Sequence, residues 1–207
     1  MTIRIGLTGP IGCGKSTVAG WLAERSAAVV DADQVAREVL DPGEPAVAVV
    51  VERFGPDVAG PGGSIDRAAL ARIVFGDPVA LRDLEAIVHP RVRPRILAAI
   101  AAAQDAGRAA VIVEAIKLVE GGLADVCDEV WLVTCDESTQ RARLAGRGMA
   151  EDDARQRIRA QRNLLERVRA RATRVLDASG DPATTKTLVG VAYDDAVRAA
   201  ERRSGSG

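Results

Sequence analysis

Nine residues near the start constrain this chain more than any others. Gly9-Pro10-Ile11-Gly12-Cys13-Gly14-Lys15-Ser16, followed by Thr17, fits the pattern G-x-x-x-x-G-K-[ST]. The context fits too: the apolar run Ile3–Leu7 precedes it as a strand, and Val18–Glu24 follows as the start of a helix. Glycines without Cβ atoms let successive backbone N–H groups turn toward one point. The helix N-terminus adds unpaired donors and partial positive charge. Such a loop cradles the phosphates of a nucleoside triphosphate. Gly12, Cys13, Gly14, Lys15, Ser16 and Thr17 are the binding residues, Lys15 reaching the β- and γ-phosphates and the Ser16 hydroxyl helping to hold Mg²⁺.

A length of 207 residues suits one medium domain carrying an insertion. Hydrophobic residues make up 47% of the chain but aromatics only 2%, so Ala, Val, Leu and Ile must do the packing. A net charge of −1 gives no reason to expect nucleic acid or a membrane surface as partner. No apolar run approaches the roughly 18–20 residues of a spanning helix, and the N-terminus enters a strand at once, leaving no room for a secretory signal. Cys13, Cys127 and Cys135 are odd in number and lack metal-type spacing, which predicts reduced thiols in a cytoplasmic protein. Cys13 is expected to be a small filler of the loop and not a nucleophile.

The apolar runs Ile3–Leu7, Ala28–Val30, Ala109–Val113 and Glu129–Val133, with a weaker Thr173–Leu176, alternate with helical patterns. They predict an α/β fold: a central parallel sheet with helices on both faces. The segment 34–107 interrupts the alternation with Pro42, Pro45, Pro56, Pro61, Pro78, Pro90 and Pro94 and with helical stretches such as Arg67–Phe75 and Val92–Gln104. It reads as a mostly helical insertion into a core of about 1–33, 108–140 and 173–200. The polar tail 202–207 is expected to be frayed.

In a parallel sheet the ligand crevice lies beyond the strand carboxyl ends. Asp31-Ala32-Asp33 follows the second strand there, and at strand spacing both carboxylates point to one side. One can take a proton from an attacking hydroxyl while the other orients Mg²⁺ through water; Asp33 is the choice for the base. The competing reading is a helix cap. Glu114 ends the third strand, where phosphate-loop enzymes place a second Mg²⁺-organising carboxylate, or where an acid caps the next helix. Lys117 and Glu120 contact substrate or pair with each other. His89 beside Pro90 positions substrate, or serves helix entry or packing. Asp66-Arg67 is a cap with a surface charge, or an anion contact.

From Asp136 onward the chain is loaded with arginine, and Glu151 four residues before Arg155 suggests a salt-bridged, solvated helix for much of the run. No aromatic residue accompanies these arginines to stack on bases. Phosphoryl transfer needs cations that close over the equatorial oxygens. Arg143 and Arg147, flanking Leu144-Ala145-Gly146, are the lid candidates, in a lid of about 141–165.

These pieces resemble the dephospho-CoA kinase family. The similar residues are Gly6–Thr17, Asp31-Ala32-Asp33 with Ala36-Arg37-Glu38-Val39, Pro42-Gly43, Phe54-Gly55, Asp66-Arg67 with Leu70 and Phe75, and Ile87-Val88-His89-Pro90. Later come Leu118-Val119-Glu120, Arg143-Leu144, Arg147-Gly148, Arg157-Ile158 with Ala160-Gln161, and Asp177-Ala178-Ser179-Gly180, in order along nearly the whole chain. The resemblance implies a phosphate-loop core, a helical CoA-binding domain and a small lid. It implies transfer of the γ-phosphoryl of ATP to the ribose 3′-hydroxyl of dephospho-CoA with Mg²⁺, Lys15, Asp33 and Arg143 acting in catalysis. Asp31, Arg67, His89, Glu114 and Arg147 would then face the substrates. Two positions depart from the family: its usual Asp-x-Pro-Leu-Leu-x-Glu is here Glu114-Ala115-Ile116-Lys117-Leu118-Val119-Glu120, and its Asp-Asn-Ser-Gly is here Asp177-Ala178-Ser179-Gly180. The nearest alternative is a related kinase acting on a nucleoside monophosphate or other small metabolite. A GTPase switch is disfavoured because Thr134-Cys135-Asp136-Glu137 stands where guanine-reading Asn-Lys-x-Asp belongs.

Overall fold

The structure, a computed structural model, describes residues 1–204, with 162–164 described by their backbone alone. Among these, five strands form one parallel sheet: β1 (Ile3–Thr8), β2 (Ala28–Asp31), β3 (Ala110–Glu114), β4 (Glu129–Thr134) and β5 (Arg174–Asp177), in the order β2-β3-β1-β4-β5. Every expected run is a strand. Interior strand β3 is buried at every position, as a continuous Ala/Val/Ile run between two helical layers should be, whereas the outer strands β2 and β5 are only half covered.

The helices among the described residues are α1 (Lys15–Glu24), α2 (Ala32–Glu38), α3 (Pro45–Phe54), α4 (Arg67–Gly76), α5 (Pro78–Asp105), α6 (Glu137–Ala145), α7 (Glu151–Ala160), α8 (Arg162–Arg171) and α9 (Pro182–Ser204). One face of the sheet presents Ile3, Ile5 and Leu7 to Val18 and Leu22 of α1 and to Tyr193 of α9, and these form the main core. Trp131 of β4 is fully buried there, its indole N–H satisfied by Glu129 Oε2 at 2.7 Å.

The chain divides into two compact units: residues 1–31 with 100 onward, which hold the sheet, and residues 32–99, which are helical. The helical unit is braced by its own ion pairs, Arg53 with Asp83, Arg95 with Glu44 at 2.6 Å and Arg67 with Asp41 at 3.0 Å. Asp66 caps α4 by accepting from the N–H groups of Ala68 and Ala69 at 3.0 Å.

Pro90 and Pro94 both lie inside the single 28-residue helix α5, which tolerates the loss of their N–H donors. One expectation is corrected. The tail is not frayed from residue 202, because α9 runs to Ser204, carrying two arginines in its last turn where they favour the helix dipole. Residues 205–207 of that tail lie outside the described residues.

Two glycines separate backbone necessity from convenience. Gly9 sits at φ +152°, and a Cβ there would lie 2.1 Å from the Val133 carbonyl oxygen. Gly20, inside α1, would meet nothing within 4 Å. Gly9→Ala is therefore expected to lower stability in urea unfolding by at least about 2 kcal/mol, whereas Gly20→Ala should raise it by roughly 0.5–1 kcal/mol. Equal midpoints for the two variants would contradict this placement of the loop.

Candidate active site

The site is built by strand register. Leu7 of β1 and Asp31 of β2 both pair with Glu114 of β3, so the start of the phosphate loop, Glu114 and Asp31 share one edge of the sheet. Glu114 is 7% exposed and accepts the Ser16 hydroxyl on Oε1 at 2.8 Å. Lys15 is 8% exposed, its ammonium donating to the Gly9 carbonyl at 2.9 Å beneath the loop. The Thr8 hydroxyl donates to the carbonyl of Ile116 at 3.1 Å, fastening the turn after β3 to the end of β1. No α-helix follows Glu114 directly, so the helix-cap alternative is set aside: turns lead instead to a short 3-10 segment, Leu123–Val126.

The aspartate pair is arranged differently from expectation. Asp31 is the last residue of β2, but the helix begins at once with Ala32, which puts Asp33 in the first turn of α2. The two carboxylates therefore do not share a side through strand alternation. Asp33 gains instead the favourable end of a helix dipole for a negative charge.

Helix α6 lies along the phosphate loop. Arg143 donates from Nη1 to the Cys13 carbonyl at 3.3 Å and from Nη2 to the Ala178 carbonyl at 2.7 Å. Asp136 caps α6, and bonds from the Ser138 hydroxyl and from the Thr139 amide and hydroxyl hold its carboxyl down at about 2. That cap is intact at neutral pH, and its contribution is lost only as the pH falls through about 2. Arg147 is exposed, on the turn between α6 and α7. With Arg143 it borders a cleft of about 180 Å³ that also takes in Gly14, Thr17, Trp21, Ala178 and Thr185. This cleft lies beside the loop, floored by α1 and α9; the sequence pointed to it through Ala178 of the Asp177–Gly180 run but did not show that Trp21 lines it.

Other candidates are resolved one by one. Part of the arginine run serves surface pairing: Glu151 binds Arg141 and Arg155, and Arg171 binds Asp125 at 2.8 Å. The side chain of Arg162 lies outside the described residues. Glu120 pairs with Arg167 of α8 at 3.3 Å and not with Lys117, which is exposed. Arg67 donates to the Arg37 carbonyl and to Asp41, both at 3.0 Å, within the helical unit. His89 is neither a helix-entry nor a packing residue; it is exposed in the middle of α5.

The thiol expectation is overturned. Cys13 and Cys135 form a disulfide that joins the phosphate loop to the end of β4 across 122 residues, their Cα atoms 5.2 Å apart. Cys127 is free, and burial pushes its thiol up to about 12. Alkylation of the denatured protein without reductant is expected to label Cys127 alone, and after reduction all three cysteines; labelling of Cys13 before reduction would contradict the pairing.

A dephospho-CoA kinase family model matches residues 3–183. A dephospho-CoA kinase of Symbiobacterium thermophilum is 46% identical over 190 residues, 91% of this chain and 79% of that one. One from Streptomyces avermitilis is 45% identical over 203 residues, 97% of each chain. Among solved structures, a Thermus thermophilus protein superposes with a TM-score of 0.77 at 33% identity, covering 93% of this chain and 97% of that one. The dephospho-CoA kinase of Campylobacter jejuni shares the fold, with a TM-score of 0.73 at 21% identity over 96% of this chain and 99% of its own. A glycine loop, a buried acid on its serine and relatives matched from end to end lead to one statement: the chain belongs to the dephospho-CoA kinase family.

Proposed function

We propose that this kinase transfers the γ-phosphoryl group of ATP to the ribose 3′-hydroxyl of dephospho-CoA, completing coenzyme A. The observation that carries the donor half is the Ser16 hydroxyl seated on the buried Glu114 carboxylate directly behind the phosphate loop. In the proposed reaction Asp33 takes the proton of the 3′-hydroxyl as its oxygen attacks the γ-phosphorus, and the bond to the β-phosphate bridging oxygen breaks to release ADP. Lys15 and the loop N–H groups follow the charge that accumulates on the phosphate oxygens. Arg143 stands beside the loop through its bond to the Cys13 carbonyl, and Arg147 lies on the adjoining turn.

Among the described residues no group of three or more His, Cys, Asp or Glu is arranged to hold a metal ion. That suits Mg²⁺, which favours a few hard oxygen ligands completed by substrate phosphates and water. Ser16 would ligate it directly, Glu114 and Asp31 would bind its waters, and the ion would neutralise charge between the β- and γ-phosphates. Glu114, one methylene longer than the family's usual aspartate, reaches Ser16 from the strand end, so the substitution retains a carboxylate at this position.

The cleft between Thr17, Trp21, Arg143 and Ala178 is assigned to the adenine base. The helical segment of about 34–107 is assigned to the acceptor, with Arg67 and His89 as its candidate contacts, and about 141–165 to the lid. No helix among the described residues is long and apolar enough to cross a membrane, and the cytoplasm, where ATP is held, is the proposed compartment.

Coupled ADP-release assays across dephospho-CoA, adenosine, AMP and CMP test the acceptor: stimulation by dephospho-CoA alone is expected, and stimulation by a monophosphate without it would overturn the assignment. Asp33→Asn should keep wild-type ATP affinity while turnover drops by about 10²–10⁴-fold. Unchanged turnover in that variant would remove Asp33 as the base.

A further inference from the structure

Ile11, at the outer corner of the phosphate loop, is gripped from outside by two glutamines. Gln140 of α6 donates from Nε2 to the Ile11 carbonyl at 2.5 Å, and Gln161 accepts the Ile11 N–H on Oε1 at 2.7 Å. The Ile11 side chain packs on the small cluster of Leu144, Ala154 and Ile158. Gln140 is 5% exposed, although it lies in a polar helix, and its donor goes to the loop.

The consequence lies in the geometry of a planar peptide. All peptide bonds described here are trans, so the C=O of one residue and the N–H of the next point in opposite directions. Holding the Ile11 carbonyl outward on Gln140 turns the Gly12 N–H inward. Arg143, three residues and one helical turn further along α6, does the same with the Cys13 carbonyl and so turns the Gly14 N–H inward. Among the described residues neither glycine N–H meets a protein acceptor. Gly12 also permits the close contact this needs, since a Cβ there would lie 3.1 Å from Leu144 Cγ and 3.2 Å from Gln140 Cγ.

We propose that Gln140 is a positioning residue for ATP: by fixing the Ile11–Gly12 peptide plane it aims the Gly12 N–H at the phosphates, and with Arg143 it makes one face of α6 the template for the loop. Gln140 touches no substrate and acts through the backbone of Ile11. Arg143 shares this task, whatever it adds over the transferring phosphoryl group. The role presupposes the nucleotide site proposed above, so wild-type affinity for ADP is the first measurement.

Gln140→Met keeps the length and removes the donor. Calorimetric titration with ADP is expected to show affinity weakened about tenfold, the worth of one hydrogen bond to a preorganised site. KM for ATP should rise with it, while affinity for dephospho-CoA stays within about twofold of wild type. Gln140→Glu, which keeps the acceptor but cannot donate when ionised, should match or exceed the loss, and it replaces the Met variant if that one fails to fold. A merely structural role would lower the unfolding temperature and leave ADP affinity unchanged below it. Wild-type ADP affinity in either folded variant, or equal weakening toward ADP and dephospho-CoA, would overturn the proposal. Failure of the wild type itself to bind ADP would instead overturn the nucleotide site.

Discussion

The structure depends on keeping a short run of backbone, Gly9 to Lys15, turned so that the N–H groups of Gly12 and Gly14 face inward. Peptide groups have no intrinsic preference for such an arrangement, and left to themselves their N–H groups would seek water. The protein holds the loop's carbonyls instead. Lys15 binds that of Gly9, Gln140 that of Ile11 and Arg143 that of Cys13. The disulfide from Cys13 to Cys135 fixes the same loop covalently to β4. Strand order then matters because β1, carrying the loop, lies between β3 and β4, which places Glu114 and the start of α6 on either side of it.

Charge is managed by the same economy of contacts. A carboxylate as buried as Glu114 would be costly alone, yet it sits beside the Ser16 hydroxyl at the head of α1, whose N-terminus favours negative charge. This is also where a divalent cation and a triphosphate would arrive. The donor half of the reaction is thus assembled within the sheet-bearing unit, while Asp33 and the acceptor candidates Arg67 and His89 belong to the helical one.

Much of this was legible from residues alone, and the reasons are local. The phosphate loop is recognisable because only glycine tolerates its backbone and only a strand and a helix can frame it. The strands were visible as apolar runs because a parallel sheet is covered on both faces. Where the reading failed, a longer-range condition decided. Asp33 reads as strand because nothing between Val30 and Gln34 marks a turn, yet the helix starts at Ala32. Cys13 and Cys135 carry no spacing signal, being 122 residues apart. Gln140 is hidden most completely: between Asp136 and Arg143 every neighbour is polar or small, and only the folded loop shows that this one side chain turns inward.

The central claim is transfer of phosphate to one particular hydroxyl, and the product's ³¹P spectrum tests it most directly. With ATP, Mg²⁺ and dephospho-CoA the account requires one new phosphate monoester, coupled to the ribose H3′ proton, for each ADP formed. ADP accumulating with no new monoester, or a monoester at any other position, would contradict it.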